Sequence, residues 1–395
     1  MAVGVTFPRG FRAAGATGGI KASGRPDVAL VVADGAATAA GVFTRSRAAG
    51  APVLLCRERL AAGGSARAVV VSSGNANVAT GAQGRADAVR MAALVGQLTG
   101  AGDGVLVCST GVIGVPLPMD RVEAGIRAAA GALAPDGGQD AAVAICTTDS
   151  HPKLATRTFT VDGHEVRVGG IAKGAGMIRP DLGTMIAVVT TDAAVSADRL
   201  QPLLRDATAH SFNRITVDGC QSTSDSVIVL ASGASGVEVQ DGPAGAAFAA
   251  ALRYVCLDLA LEIVSDGEGA RRIARYEVTG ARSYEDADRA ARHVAEDQLV
   301  RCALYGADPN WGRIVAALGV CGVDLDTDRV SIDLGDVPLV RDGIAVPGAA
   351  EAAGVAAQAR CVDVRIDLGA GASSAVIYGS DLSTEYVVNN SEYTT

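Results

Sequence analysis

The chain contains 395 residues, of which 49% are apolar and only 4% aromatic, and its formal net charge is -9. This length suffices for a large hydrophobic core and for two domains. The negative charge argues against a nucleic-acid-binding protein, which needs a basic face. Apolar runs are too short to span a membrane, and the first 24 residues lack the compact apolar stretch of a signal peptide. We therefore expect a cytoplasmic protein with neither membrane nor nucleic-acid partners.

The cysteines and histidines argue against a disulfide framework and against a metal site. None of the eight cysteines belongs to a Cys-x-x-Cys pair, and most lie in apolar segments, as buried thiols in a reducing cytosol do. The four histidines lack metal-ligand spacing, and the motifs of nucleophile elbows and P-loops are missing. The sequence therefore predicts neither metal chemistry nor a Ser–His–Asp triad.

Hydrophobic periodicity predicts strands and helices that alternate along the chain. Up to residue 190 the predicted strands are 28–33, 42–44, 68–71, 104–108 and 185–190, the predicted helices are 85–98 and 120–130, and a hairpin over 159–168 turns at Asp162-Gly163. Beyond residue 190 the predicted helices are 196–209, 243–261 and 283–294, and the predicted strands are 226–230, 272–278, 330–333, 362–366 and 374–377. This order indicates an α/β fold, and we place a domain boundary near Gly280, between a larger domain (1–280) and a smaller C-terminal α/β domain (281–395).

A glycine–threonine pair before a predicted strand is the most informative local feature. If the peptide bond between Gly183 and Thr184 breaks, Thr184 becomes an N-terminus whose hydroxyl and α-amine share one residue. Such an amine has a pKa of about 7.7–8.0, so it can accept the hydroxyl proton without a histidine. The hydroxyl can also cut its own chain, through attack on the Gly183 carbonyl, an N-to-O acyl shift and hydrolysis of the ester. The simpler interpretation of the dipeptide alone is a turn before a strand.

Three polar, glycine-rich clusters are candidates for the rest of a site. The Thr110 hydroxyl and the Gly111 amide would stabilise the oxyanion of acyl transfer, and the alternative is a strand-to-helix turn with a threonine cap. Lys173 would bind a carboxylate or keep the threonine amine neutral, and the alternative is a surface lysine in a loop. Glu268 would bind a cationic amine or pair with Lys173, and the alternative is a solvated acid after a helix.

Together with these clusters, several motifs resemble the ornithine acetyltransferase family, the glutamate N-acetyltransferases of arginine biosynthesis. The similarity extends from about Gly41 to Thr395. In chain order, the motifs that carry it are Gly74-Asn75-Ala76-Asn77, Ser109-Thr110-Gly111-Val112-Ile113-Gly114, Thr147-Thr148-Asp149, Lys173-Gly174-x-Gly176-Met177-Ile178, Ser265-Asp266-Gly267-Glu268-Gly269-Ala270, Asp308-Pro309-Asn310-Trp311-Gly312-Arg313 and Asn390-Ser391-Glu392-Tyr393-Thr394-Thr395.

This resemblance implies a layered α/β sandwich that cleaves itself into chains of residues 1–183 and 184–395, assembled as α2β2. It implies that Thr184 is the nucleophile and that Thr110 and Gly111 form the oxyanion hole. Acetyl would pass from N2-acetylornithine to glutamate by a ping-pong route through an acetyl-Thr184 ester, without a cofactor, and some members also accept acetyl-CoA. The positions that match substrate-binding residues of the family are Thr147, Lys173, Thr184, Glu268, Asn390 and Thr395.

Six positions depart from the family pattern. They are Asp181, Leu182, Gly183, Cys220, Gln221 and Ser224, where the family usually has Asn, Met, Ala, Asp, Thr and Asn. Because these changes concern substrate identity more than mechanism, a paralogous acyltransferase of secondary metabolism remains an alternative.

Two other classes of protein also remain open. An amidohydrolase or aminopeptidase would use the same self-generated threonine, but water instead of an amine would resolve its acyl-enzyme. A non-catalytic binding protein would keep the fold, but it would not need Thr184, Lys173 or the Thr110-Gly111 pair.

Overall fold

The computed structural model describes residues 3–179 and 185–392. The predicted residues Gly183, Thr184 and Thr395 lie outside this range, together with Asp181 and Leu182. The strands are β1 (Phe11–Ala16), β2 (Val28–Ala33), β3 (Thr38–Phe43), β4 (Ala68–Asn75), β5 (Val105–Val112), β6 (Lys153–Val161), β7 (His164–Lys173), β8 (Ile186–Thr191), β9 (Ile215–Thr216), β10 (Ser226–Ala231), β11 (Ile273–Ala281), β12 (Ser331–Leu334), β13 (Val337–Arg341), β14 (Ile344–Ala345), β15 (Cys361–Asp367) and β16 (Ser373–Ser380). The helices are α1 (Ala51–Ala61), α2 (Gly81–Thr99), α3 (Met119–Gly131), α4 (Gly138–Ile145), α5 (Ala197–Ala209), α6 (Pro243–Ser265), α7 (Tyr284–Glu296), α8 (Gln298–Tyr305), α9 (Trp311–Val320), α10 (Ala349–Ala352), α11 (Gly354–Ala357) and α12 (Thr384–Glu392).

The described strands form three sheets. A four-stranded sheet has the order β1-β2-β4-β5, and a five-stranded sheet has the order β3-β10-β8-β7-β6. The third sheet has the order β14-β13-β12-β15-β11-β16-β9, and most of its strands follow residue 270. The layered α/β architecture that the sequence predicts is therefore confirmed.

Alternate residues of each strand are buried on opposite faces of the sheet, and this explains how the first two sheets stack into layers. In β2, Ala29 and Val31 face a core shared with the five-stranded sheet, whereas Leu30 and Val32 face a second core under α2 and α3. Successive residues of a strand point to opposite faces, so a strand buried on both sides reads as one continuous apolar run. Helices α1 and α4 contribute to the core between the two sheets, and α5 and α6 cover the outer face of the five-stranded sheet.

The third sheet has a hydrophobic core of its own with α7 and α9. Helix α7 begins after Ser283, whose hydroxyl accepts a hydrogen bond from the amide of Asp286 and so caps the helix N-terminus. Gly280 lies inside β11, between β15 and β16. The division of the chain at residue 280 stays a prediction.

Strands β4 and β5 extend beyond their predicted ends, and this extension builds one wall of the site. The sequence predicts that they end near residues 71 and 108, where apolar residues give way to polar ones. In the structure the parallel pairing continues to Gly74 and Gly111. Ser72 and Ser109 are paired there, and their hydroxyls lie 2.8 Å apart. Polar side chains thus remain in the ladder because they have partners across it.

Two further observations concern the exposure of the cysteines and the length of the apolar helices. Five of the eight cysteines are buried, and Cys220, Cys302 and Cys361 are exposed. Among the described residues, no helix is long and apolar enough to cross a membrane.

The two-sided burial of β2 predicts a large stability effect for Leu30→Ala. Leu30 is completely buried, so the substitution should lower the free energy of unfolding by about 2–5 kcal/mol, through lost burial and the cavity it leaves. Urea unfolding at one protein concentration measures the loss. Leu54→Ala on α1 is the matched control, because Leu54 is 39% exposed and its truncation should change stability by about 0.5 kcal/mol or less. Equal losses for the two variants would contradict this layer arrangement.

Candidate functional site

Six of the predicted site residues line one cavity, although they come from five separate segments of the chain. The segments are the end of β5, the loop after α4, the last residue of β7, the loop after α6, and α12. The predicted residues that line the cavity are Thr110, Gly111, Thr147, Lys173, Glu268 and Asn390. Met185, which directly follows the predicted cleavage site, lines the same cavity.

Gly111 is required by the close approach of β5 to β4. Its φ is +129°, and a Cβ at this position would lie 2.3 Å from the carbonyl carbon of Gly74. Only glycine tolerates both the backbone angle and the contact. Thr110 lies within strand β5, and the next helix, α3, begins only at Met119. The alternative of a strand-to-helix turn with a threonine cap is therefore wrong.

Lys173 is a buried side chain beside Thr110. It is only 8% exposed, and its Nζ lies 3.5 Å from the Thr110 hydroxyl oxygen. As the last residue of β7 it pairs with Ile186 at the start of β8. The alternative of a surface lysine in a flexible loop is wrong, because β7 lies between β6 and β8 and fixes the backbone of Lys173.

Glu268 lines the cavity from the loop after α6. Its carboxylate accepts a hydrogen bond of 2.7 Å from the side-chain amide of Asn390, and its own amide donates to the Ala175 carbonyl. A Cβ at Gly176 would lie 2.6 Å from the Glu268 carboxyl group, so this glycine leaves room for the carboxylate. In the described part of the chain the side-chain partner of Glu268 is thus Asn390, and Lys173 lies next to Thr110.

A buried acid, Asp149, organises the lysine side of the cavity. Its carboxylate accepts hydrogen bonds from the amide of Gly174, at 2.7 Å, and from Lys153 Nζ, also at 2.7 Å. Burial alone would raise the pKa of Asp149, but the positive charges of Lys173 and Lys153 and these hydrogen bonds outweigh it and lower the pKa to about 2. Asp149 is therefore an anion beside Lys173 at neutral pH.

Asp218 holds the segment that leads toward the predicted cleavage site. Its carboxylate accepts hydrogen bonds from the amides of Met177, at 2.6 Å, and Ile178, at 2.9 Å. Met177 has a φ of +56°, which is unusual for a residue other than glycine. Tyr386 on α12 donates its hydroxyl to the same carboxylate. The acid thus joins this segment to the helix that carries Asn390.

Sequence reasoning missed several residues that contribute to the cavity. Asp149 belongs to a motif that carries the resemblance, and its partner Lys153 is only four residues away, but this spacing alone does not indicate a buried ion pair. Of the departures from the family pattern, Ser224 lines the cavity, whereas Cys220 is exposed. The Ser224 hydroxyl is buried and has no hydrogen-bond partner among the described residues. Within 3–179 and 185–392, no group of three or more His, Cys, Asp or Glu side chains is placed to hold a metal ion.

Fold and cavity together define a layered α/β enzyme whose site suits a small charged molecule. Comparison with known proteins gives the family. The family model described as "ArgJ family" matches residues 12–395. The "Arginine biosynthesis bifunctional protein ArgJ" of Symbiobacterium thermophilum is 48% identical over 400 residues, covering 100% of this chain and 99% of that protein. The protein of the same name from Geobacter sulfurreducens is 47% identical over 391 residues, covering 98% and 99%.

A solved structure points to the same family as these relatives. The crystal structure of the arginine biosynthesis bifunctional protein argJ from Bacillus halodurans is similar with a TM-score of 0.52 and 37% identity, over 53% of this chain and 100% of that chain. The chain therefore belongs to the ArgJ family, and it is an enzyme of the N-acetyltransferase class. The resemblance to the ornithine acetyltransferases that the motifs indicated is confirmed.

The lowered pKa of Asp149 predicts a pH-dependent difference between the wild type and Asp149→Asn. The folded-state pKa is about 2 and the ordinary value is 3.8, so the charged carboxylate stabilises the fold above about pH 4, and this stabilisation is lost as the pH falls toward 2. The difference in unfolding free energy should be constant from pH 5 to 7 and should shrink by about 2 kcal/mol near pH 2. Urea unfolding across this range measures it. The same difference at pH 3 and at pH 6 would contradict the ionic role.

Proposed function

We propose that the enzyme transfers acetyl from N2-acetylornithine to glutamate, through an acetyl ester on Thr184 that forms after self-cleavage between Gly183 and Thr184. One observation carries this proposal most directly. One cavity beside Met185 is lined by the Thr110-Gly111 pair, by Lys173, and by Glu268 with Asn390. These groups match the needs of an acyl-transfer reaction between charged amino acids.

Self-cleavage would start with attack of the Thr184 hydroxyl oxygen on the Gly183 carbonyl carbon. The peptide C–N bond breaks as the acyl group moves from nitrogen to oxygen, and water then hydrolyses the ester. The products are a new carboxylate on Gly183 and a free α-amine on Thr184. That amine serves as the base for later turnovers, since its pKa is near neutral.

In the first half-reaction, the Thr184 hydroxyl attacks the acetyl carbonyl of N2-acetylornithine and its proton passes to the α-amine. The oxyanion would accept hydrogen bonds from the Thr110 hydroxyl and the Gly111 amide. Collapse breaks the amide bond, and the proton returns to the departing ornithine nitrogen. In the second half-reaction, the glutamate amine attacks the acetyl-Thr184 ester, which regenerates the hydroxyl. The threonine carries the acetyl group throughout, so the cycle needs no cofactor.

Charge complementarity supports amino acids as the substrates. The Lys173 ammonium suits an α-carboxylate, and the Glu268 carboxylate suits the side-chain ammonium of ornithine. Asn390 holds the Glu268 carboxylate from α12. Thr147 also lines the cavity, and we propose that it makes a polar contact with substrate. For Thr395, outside the described residues, the resemblance implies the same role. The relatives are named as proteins of arginine biosynthesis, which supports that pathway for this chain. We propose that the enzyme acts there, in the cytoplasm, with acetyl-CoA as an additional donor.

Sheet topology supports the proposal that the two fragments stay together after cleavage. Strands β3, β6 and β7 precede the cleavage site, whereas β8 and β10 follow it, and all five form one sheet. β8 pairs with β7 on one side and with β10 on the other. Separation would expose this shared core and open the cavity. We propose an α2β2 assembly in which each α fragment remains interleaved with its β fragment.

A second candidate function differs only in the acyl acceptor. Ser224 lines the cavity with a buried hydroxyl that lacks a described partner, at a position where the resemblance leads us to expect asparagine. Such a change favours a different acceptor, as in a paralogous acyltransferase, or water, as in an amidohydrolase. An acceptor screen separates these outcomes.

Mass spectrometry under denaturing conditions tests the self-cleavage. The purified protein should give two fragments that meet at Gly183 and Thr184, but gel filtration should show a single complex because of the shared sheet. Thr184→Ala should remain one chain and lose transfer activity, whereas Thr190→Ala, in β8, keeps the nucleophile and should still be cleaved. An intact and fully active Thr184→Ala enzyme would refute the mechanism.

Incubation with N2-acetylornithine tests the covalent intermediate. One acetyl group should appear on the fragment that begins at Thr184, and addition of glutamate should remove it as acetylglutamate. Acetate that forms equally fast with and without glutamate would instead favour the hydrolase. A panel of other amino acids in place of glutamate identifies the preferred acceptor.

A further inference from the structure

The chain contains only three lysines, Lys21, Lys153 and Lys173, and every other member of its 34 lysines and arginines is arginine. All three lie around the proposed substrate cavity. Lys173 lines it, Lys153 binds the same Asp149 as the Lys173–Gly174 segment, and burial lowers the pKa of Lys21 to about 8 close to the charge of Lys173. A lysine ammonium is a compact charge with three donors, whereas an arginine presents a planar fork. Because lysine occurs only around this cavity, we infer that the site needs the compact ammonium group of lysine.

Lys153 has no part in the proposed reaction, yet it is among the most buried residues of the chain. It is 1% exposed. Its Nζ donates to Asp149 Oδ1 at 2.7 Å, to Asp266 Oδ2 at 2.6 Å and to the His151 carbonyl at 3.3 Å. These acceptors use all three donors of the ammonium group, so its hydrogen bonds are complete without a ligand.

Each of the two acids that bind Lys153 is linked to residues that line the cavity, through hydrogen bonds or through the chain itself. Asp149 accepts hydrogen bonds from the amides of Thr147, at 2.8 Å, and Gly174, at 2.7 Å, and Gly174 directly follows Lys173. Asp266 accepts one from the amide of Ser150, at 3.0 Å, and stands two residues before Glu268. One ammonium group therefore connects the backbone segments of Thr147, Lys173 and Glu268.

We propose that Lys153 is a positioning residue that sets the separation between the Lys173 wall and the Glu268 wall of the cavity, and so selects amino-acid substrates by length. The proposal rests on the proposed function, in which these two walls bind the opposite charges of one substrate. A fixed separation discriminates between substrates because a charge that falls short of its partner stays buried and unpaired.

Stability alone does not account for this network. A buried ion pair is often no more stabilising than well-packed apolar residues of the same volume. The surrounding core is rich in alanine and valine, which could fill the same space. Two buried acids and a buried lysine do add directional contacts between three loops, which apolar packing would not supply. These contacts fix the segments of Thr147, Lys173 and Glu268 relative to one another, as a positioning role requires.

Lys153→Met, which keeps the length of the side chain and removes its charge, tests the proposal. In the cleaved and folded fraction, KM for N2-acetylornithine should rise about tenfold or more, since small displacements of binding groups are costly. The value of kcat per Thr184 fragment should change by less than about threefold, because Thr110 and Gly111 are not held by Lys153. Selectivity against the shorter N2-acetyl-2,4-diaminobutyrate should fall at the same time.

Arg275→Met is the matched control. Arg275 also bridges two acids, Glu277 at 2.9 Å and Asp363 at 3.0 Å, but it lies in the third sheet. It should leave KM unchanged, whatever it does to the melting temperature. A Lys153→Met enzyme with wild-type KM and only a lower melting temperature would overturn the proposal.

If Lys153→Met fails to fold, Asp266→Ala tests the same proposal. It keeps the Lys153–Asp149 pair and removes the bonds from Lys153 and Ser150 that hold the loop of Glu268, so KM should again rise while kcat holds. An unchanged KM in this variant would overturn the proposal too. Wild-type enzyme assayed in parallel separates the two hypotheses: no acetyl transfer by wild type refutes the proposed function, and with it the proposed role of Lys153, whereas an active wild type with unaffected variants refutes the role of Lys153 alone.

Discussion

The pairing of β7 with β8 is the constraint on which the site depends. The antiparallel register places Lys173, the last residue of β7, opposite Ile186, the first residue of β8. The chain must therefore leave the sheet after Lys173 and return to it at Ile186, one residue after Met185, which lines the same cavity. Backbone hydrogen bonds fix this arrangement independently of the side chains, so a lysine and the residues next to the predicted cleavage point share one location.

A second constraint comes from charge. Lys153 and Lys173 are buried, and so is Asp149, while the side chain of Asp266 is 5% exposed. Two cations and two anions thus occupy a small volume in which an isolated charge would be costly. Their mutual arrangement keeps Asp149 ionised and ties the loops around the cavity to one another. The pairing of opposite charges that allows these side chains to be buried also restricts the movement of the loops that carry them.

Much of the fold follows from local pattern. The continuous apolar run of β2, the alternating hairpin of β6 and β7 around Asp162-Gly163, and the serine cap of α7 are each recognisable from neighbouring residues. The ends of β4 and β5 are not recognisable in this way. Polar residues that pair across a parallel ladder have the same composition as loop residues, so the sequence does not distinguish the two. The short apolar run over residues 141–147 fits a buried helix as well as a strand, and the structure shows that most of it belongs to α4.

The sequence by itself determined the family, the layered α/β class and six of the residues that line the cavity, since ordered motifs and hydrophobic periods are local properties of the chain. Only the tertiary structure decided how those residues meet. Thr110 and Lys173 are 63 positions apart and Asn390 and Glu268 are 122 positions apart, yet each pair is in contact. The place of Lys153 between Asp149 and Asp266 was equally invisible, because a buried ion network is defined by distances in space, which spacing along the chain does not encode.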